Sequence, residues 1–458
     1  MKANPLIAAA ALLALLGGAV WYTRENPPED DDARPQVVDA EEAEIREVSL
    51  LRKGADTITL VRGEEGEWEF AGGDEMAVDQ SAAGQIVSSL ASLNAERLVS
   101  ESVDEWGPYE LDAPELAVSF KLAEGGGTVQ FGRDTPAGSG VFARLQGDPR
   151  LFTLYSYNKT SFDKSRFDLR DKRLLALDDA SISSVAVSAG GRKMRFERSG
   201  GTWSIVLPAR LRADDFTVSD LVRAVRTAEM TEVLSESDDS PGYSFQAPLA
   251  TVSVTDGGGD HTLVLAGGGG THYARSSAHS GVFGVSATFA ESFDKPVADF
   301  RDKKLFDFGF ADPARVELSV GDASAVIARA DDAWQLESDG NRRLDGERTQ
   351  ALLDSLRNLA AIEFPSDDAG RQESFGLGSP AITAAVTPAG ADSSPETVIV
   401  SAAGQPLVYA ARVGEPSTYR IEQSAAKGIE RALQRVLEPP PASADTSAAG
   451  GAEEGADP

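Results

Sequence analysis

The chain has 458 residues, with 43 basic and 73 acidic side chains, a formal charge of −30 and no cysteine. Its length suggests about three domains, and 41% hydrophobic with 25% charged residues is ordinary for globular material. The acidic excess argues against a nucleic-acid partner, because phosphate neutralisation needs basic surface. The lack of cysteine excludes disulfides, thiolate metal sites, a cysteine nucleophile and a lipidated cysteine.

Residues 5–22 are uncharged and mostly apolar, dominated by Ala and Leu. As a helix this run spans about 27 Å, enough for a bilayer core. Lys2 precedes it, while Glu25 and the acidic string 29–32 follow Arg24. The charge bias favours the N-terminus inside and the bulk of the chain outside the cytoplasm. Trp21 and Tyr22 stand where an interfacial aromatic belt would lie. A cleaved signal peptide is the competing reading. The aromatics, with no small-residue cleavage site after them, favour an uncleaved transmembrane anchor in the cytoplasmic membrane, with residues 1–4 as its cytoplasmic end. Residues 23–43, with Pro27, Pro28, Pro35 and crowded acids, read as a linker.

From there the chain repeats itself in three copies. Trp68, Trp203 and Trp334 set the frame. Two strand-like runs precede each: 48–51 and 57–61, 182–187 and 193–197, 316–320 and 325–328. An aspartate stands eleven residues after each tryptophan, at Asp79, Asp214 and Asp345, just ahead of an apolar helical stripe. Leu352, Leu353, Leu356, Leu359 and Ala360 form the clearest stripe, matched by Val218, Leu221, Val222 and Val225, and by Ala82, Ala83, Ile86, Val87, Leu90 and Leu93. A catalytic carboxylate is the sharper reading of such an aspartate. Its recurrence at one position in three copies points instead to a helix cap.

A proline recurs at Pro114, Pro248 and Pro380, closing an aromatic-containing turn over 106–114, 243–248 and 375–380. Further strands follow, at 116–122 and 128–131 in the first copy. An aromatic-Ala-Arg step comes next, as Phe142-Ala-Arg144 and Tyr273-Ala-Arg275, with a looser version over 409–412. Copies one and two then share Ser-Phe-Asp-Lys, at 161–164 and 292–295, and Arg-Asp-Lys, at 170–172 and 301–303. The expected fold is α+β: one N-terminal transmembrane helix, then modules at 44–177, 178–309 and 310–438. Each module is a mostly antiparallel sheet with one main helix and a short second helix. Residues 439–458, rich in Pro, Ala, Gly and Ser with only acidic charges, read as a disordered tail.

These features together resemble the bacterial family catalogued as domain of unknown function 4340. The resemblance is carried by the N-terminal anchor, the tryptophan strand, the Phe-Gly-Leu-Gly-Ser-Pro turn at 375–380, the aromatic-Ala-Arg step and the Arg-Asp-Lys segments. It implies a membrane-anchored, extracytoplasmic protein whose gene often lies beside an ABC transporter of the gliding-motility type. The implied partner is an ABC permease or its companion subunit. The family carries no established catalytic residues. Copy two departs from the turn pattern, with Tyr-Ser-Phe-Gln-Ala-Pro, and copy three lacks Arg-Asp-Lys.

No residue presents itself as catalytic, cofactor-binding or metal-ligating, and no cofactor is expected. His261, His272 and His279 are close in sequence but fall on two strands and a loop, so they do not read as one metal site. The glycines at 267–270 lack the Gly-Lys-Ser/Thr of a phosphate loop and read as a hairpin turn. The acids at 29–32 read as solvated linker and not as a calcium site. In so acidic a chain the Arg-Asp-Lys segments stand out, and their place at the end of a copy that another copy follows predicts a junction role. The expected function is that of a non-enzymatic accessory subunit of an ABC-type transport or gliding-motility-type system. An independent envelope-binding or structural repeat protein, contacting polysaccharide or other surface proteins, is the alternative.

Overall fold

A computed structural model describes residues 34–73, 76–136, 138–238, 240–330, 333–390, 394–402 and 407–439. The expected transmembrane anchor at 5–22 and nearly all of the tail at 439–458 lie outside the described residues. Among the described residues no helix is long and apolar enough to cross a membrane. The fold is α+β and is built on three antiparallel sheets, one for each repeat read from the sequence.

In the first repeat the strands are β1 (Glu47–Arg52), β2 (Ile58–Arg62), β3 (Trp68–Phe70), β4 (Arg97–Ser100), β5 (Leu116–Lys121), β6 (Gly126–Asp134), β7 (Gly140–Leu145) and β8 (Leu151–Tyr155). Their spatial order is β3-β2-β1-β5-β6-β7-β8-β4. The main helix α1 (Gln80–Ala91) joins β3 at one edge to β4 at the other, so it has to cross the face of the sheet. Alternation explains which face it covers. Val48 and Leu50 of β1 and Ile58 and Leu60 of β2 are buried against Ala83, Ile86, Val87 and Leu90 of the helix. On the other face, Ser49 and Thr59 hydrogen-bond across the strands at 2.8 Å. Two short helices, α2 (Ser156–Phe162) and α3 (Arg166–Leu169), close the repeat.

The second repeat runs β9 (Ser184–Ala189), β10 (Arg192–Ser199), β11 (Thr202–Leu207), β12 (Leu211–Arg212), α4 (Asp215–Arg226), β13 (Glu232–Ser235), β14 (Ala250–Asp256), β15 (Gly259–Gly268), β16 (Thr271–Ser276), β17 (Val282–Gly284) and α5 (Ala287–Glu291). The third runs β18 (Arg315–Val320), β19 (Ala323–Ala330), β20 (Ala333–Leu336), β21 (Arg342–Arg343), α6 (Gly346–Arg357), β22 (Ala361–Ser366), β23 (Ile382–Thr387), β24 (Glu396–Val400), β25 (Val408–Arg412), β26 (Thr418–Ile421) and α7 (Gln423–Leu437). Its sheet order, β21-β20-β19-β18-β23-β24-β25-β26-β22, is that of the first repeat with one short edge strand added. One expectation fails here. The second helix is short in the first two repeats, but α7 has 15 residues and is longer than the 12-residue main helix it packs beside. Ala426, Ile429, Leu433 and Val436 give it a full apolar stripe into the core.

Packing groups the chain into two compact units. The first runs to Leu174 and takes in Glu229–Asp239 and His279–Gly284, hence the antiparallel pair β13–β17. The second holds Leu175–Ala228, Ser240–Ala278 and the described residues from Val285 on.

The three tryptophans are core residues, with relative exposures of 6% for Trp68, 5% for Trp203 and 8% for Trp334. The three aspartates cap the main helices. Asp79 accepts from the Ser81 and Ala82 amides, Asp214 from Thr217 and Asp345 from Arg348. The residue after the cap also ties down the tryptophan strand in two repeats. Gln80 Oε1 accepts from Trp68 N–H at 2.7 Å, and Asp215 Oδ1 from Trp203 N–H at 2.5 Å. Gly346 holds that place in the third repeat and has no side chain to offer.

Candidate functional site

The proline-closed turn and the aromatic-Ala-Arg strand meet in every repeat. Counting back five residues from Pro114, Pro248 and Pro380 gives Tyr109, Tyr243 and Phe375. Each ring packs on the strand aromatic of its own repeat. Tyr109 lies 5.0 Å from Phe142 between centroids, Tyr243 lies 5.1 Å from Tyr273, and Phe375 lies 4.9 Å from Tyr409. Such tilted and edge-on pairs satisfy the ring quadrupoles and pin the turn to the outer face of the sheet.

The arginine of the step does not follow the same threefold pattern. Register places Arg144 opposite Gln130 and Arg275 opposite Val264. Arg144 stacks on Trp106 at 4.1 Å and donates to Gln130 Oε1 at 2.6 Å and to the Leu111 carbonyl at 3.2 Å. Arg275 stacks on Phe245 at 4.3 Å. In the third repeat the equivalent position is Ala411, which faces Ile399. The looser sequence match at 409–412 is therefore offset by one residue. Arg412 points to the other side, where it donates to the Leu305 carbonyl at 2.7 Å and pairs with Asp307 and Glu415.

Beside the third ring pair the surface opens into a cleft of about 640 Å³. Phe375 and Tyr409, both half-buried, form one wall. Glu373, Ser379, Ser401 and Leu407 line the rest. The residues on the turn are small here. Gly376 and Gly378 stand where the first repeat has Glu110 and Asp112 and the second has Ser244 and Gln246, counted from the closing proline.

The Arg-Asp-Lys segments lie where one repeat joins the next. Looking back, Val78 bridges to Arg170 and Asp79 N–H donates to the Leu169 carbonyl at 2.8 Å. Ala213 and Asp214 do the same with Arg301 and Phe300. Looking forward, Lys172 O accepts from Met230 N–H at 2.8 Å, and Lys303 O accepts from Ala361 N–H at 2.7 Å. Each segment is a strand-like strap, paired on one edge with its own repeat and on the other with the residues after the next repeat's main helix. The arginines add charge pairing to that strap. Arg170 pairs with Glu236 at 3.6 Å. Arg301, only 4% exposed, pairs with Asp367 at 2.8 Å, donates to Ser417 Oγ at 2.8 Å and stacks on Phe364 at 3.8 Å. The expected junction role is what the structure shows.

A denser charge cluster surrounds the second strap and was not visible in the sequence. Arg212 contacts both Asp302 and Asp307, Arg412 meets Asp307 at 3.1 Å, and Glu415 accepts from Tyr419 Oη at 2.8 Å. Burial, helped by Glu415, pushes the Tyr419 phenol up to about 12. Its members are spread over strands and connections far apart in sequence, so no spacing motif announces it.

The remaining sequence candidates have ordinary tasks. His261 pairs with Asp256 at 2.9 Å, His272 with Glu291 at 3.4 Å, and His279 with the Arg173 carbonyl at 3.1 Å. Among the described residues no three His, Cys, Asp or Glu side chains converge as a metal site requires. The glycines at 267–270 close the β15–β16 hairpin, with Gly269 and Gly270 at φ +63° and +86°, a conformation that side chains resist.

Fold and site together define a tandem-repeat α+β protein with structural straps between its repeats. The family described as Domain of unknown function (DUF4340) matches residues 68–241 and 203–380. These overlapping matches span more than half of the chain, which belongs to this family. Each match opens on the tryptophan of a repeat, Trp68 or Trp203. No curated protein matches the chain.

Proposed function

We propose that the protein is a non-enzymatic, membrane-anchored accessory subunit of an ABC-type transport or gliding-motility-type system. Residues 5–22 hold it in the cytoplasmic membrane with the N-terminus inside, and the repeats lie outside the cytoplasm. One observation carries the non-enzymatic part: the residue types that recur are spent on folding. The aspartates cap helices, the tryptophans fill cores and the strap arginines join repeats. What varies from repeat to repeat is surface, which suits binding. Several repeats presented together also raise the effective concentration of one binding face once another has engaged.

The test is mild crosslinking in native membranes followed by purification of the chain. Recovery of an ABC permease or its companion subunit is the expected result. Recovery of no transporter component refutes the reading. A reporter active only outside the cytoplasm, fused after Pro458, checks the orientation and should be on.

A second reading is favoured by the cleft beside Phe375 and Tyr409. It makes the protein an independent envelope-binding repeat protein that contacts polysaccharide or other surface proteins. Recovery of polysaccharide or another surface protein with the chain after deletion of the transporter genes would support it over the first.

A further inference from the structure

We infer that the cleft of the third repeat is a binding site for neutral sugar units. The inference deepens the envelope-binding reading and is independent of the transporter partner.

The third repeat seats its turn differently from the first. In the first repeat the turn rests directly on the sheet at Gly132, where an added Cβ would meet the Tyr109 carbonyl at 2.1 Å. The position equivalent to Gly132 is Ser401, since Phe131 faces Ala143 as Val400 faces Ala410. Ser401 is a side chain where the first repeat has none. The turn touches it at Gly376, whose Cβ would sit 3.5 Å from that of Ser401. Ser401 thus stands under the turn where the first repeat has only backbone, and Gly376 and Gly378 line the cleft beside it.

The resulting chemistry suits a pyranose. Two half-buried rings 4.9 Å apart offer flat apolar surface to the C–H face of a sugar. Ser401 Oγ accepts from Tyr409 N–H at 3.0 Å, which leaves its own O–H to donate. Ser379 adds a second hydroxyl and Glu373 a carboxylate acceptor for sugar hydroxyls. Glu373 is the charged residue on the lining, and the chain carries −30, so an anionic ligand is repelled where a neutral, hydroxyl-rich one is not. The volume of about 640 Å³ falls within the range of about 300–1,000 Å³ usual for small-molecule sites.

The test uses the full chain in a detergent without a sugar headgroup, titrated with maltotriose, cellotriose and chitotriose. Calorimetry and saturation-transfer NMR read the binding. Saturable binding of at least one trisaccharide at millimolar concentration or tighter is expected. Ala402→Trp, a change at an exposed lining residue, should fill the cleft and raise Kd at least about tenfold with an unchanged melting curve. Tyr409→Ala should weaken binding similarly. If Tyr409→Ala fails to fold, Ala402→Trp still decides the matter. Lack of saturable binding by all three sugars, or binding that survives Ala402→Trp, overturns the inference. Sugar binding without recovery of a transporter removes only the accessory-subunit reading. Transporter recovery without sugar binding removes only this one.

Discussion

Replacing Arg301 with Ala tests the junction most directly. Its guanidinium is 4% exposed and makes three contacts at once: Asp367 at 2.8 Å, Ser417 Oγ at 2.8 Å and the Phe364 ring at 3.8 Å. Removing one member of a buried pair strands the other and costs about 3–5 kcal/mol. Asp367 keeps 34% of its side-chain exposure, so water can take over part of its solvation. That places the expected loss at the low end, about 3 kcal/mol. For a compact unit of this size each kcal/mol lowers Tm by roughly 2–4 °C, so the transition of the second unit should fall by about 6–12 °C. Calorimetry and urea unfolding provide the measurement. The double variant Arg301→Met with Asp367→Leu should recover much of the loss, because an apolar pair of similar volume leaves no orphaned charge. Arg301→Lys should fall between, since an ammonium keeps the charge but not the planar stack. A Tm within about 2 °C of wild type for Arg301→Ala would show that the pair is relaxed by solvent and that the strap is held by its backbone bonds alone.

Trp203→Ala should destabilise the second unit by about 3–5 kcal/mol, read by urea unfolding, because the ring is 5% exposed and its loss leaves a cavity. Asp214→Ala should cost about 1 kcal/mol through the lost bond to the Thr217 amide, and Asp214→Asn much less, a difference visible in Tm. Asp256 accepts from the Asp178 and Gly258 amides and pairs with His261, which hold its carboxyl down from the ordinary 3.8 to about 2. A carboxyl depressed in the folded state stabilises above its unfolded pKa and loses that contribution as pH falls through the folded one. Stability should therefore drop between about pH 4 and 2, and Asp256→Asn should flatten that slope in acid titrations of unfolding. Val38→Ser should destabilise the first unit by about 1.5–3 kcal/mol, since Val38 is fully buried.

The parts of the fold legible in the sequence are those fixed by local chemistry. Strand alternation, the aspartate caps and the closing prolines each depend on a few neighbouring residues, and three copies made the pattern redundant. What escaped depends on contacts far apart in the chain. The turn aromatics and the strand aromatics were both visible as motifs, but nothing local says that Tyr109 meets Phe142 or that Phe375 meets Tyr409. In the third repeat, burial of Val408 and Ala410 sets which residues face the core, and that register puts Ala411, not Arg412, beside the turn. Composition misled at residues 34–43. Pro35 and the nearby acids suggested linker, yet Val37 and Val38 are buried and Val37 N–H donates to the Leu93 carbonyl at 3.0 Å. A Pro-containing segment is compatible with an edge strap because it needs to donate only at alternate positions.

The same backbone pattern recurs at each strap. Pro35 O accepts from Ala95 N–H at 2.7 Å, as Lys172 O accepts from Met230 and Lys303 O from Ala361. Gln36 bridges to Asn94 as Arg173 bridges to Glu229 and Lys304 to Ala360. Residues 35–37 thus serve the first repeat as the Arg-Asp-Lys straps serve the second and third. At the far side of the third repeat α7 takes the place of a short helix and strap. Arg342 and Arg348, flanking its main helix cap, donate to the Leu437 and Arg435 carbonyls. Those bonds satisfy terminal carbonyls of α7 that a helix cannot satisfy for itself. The apolar stripe of α7 packs into the core of the third repeat. With the helix faces buried in the cores and the strap edges occupied, the outer sheet faces carry the turns, and they differ most in the third repeat. The proposed binding role predicts that a change on that face alters partners or ligands while leaving the straps and the melting behaviour intact.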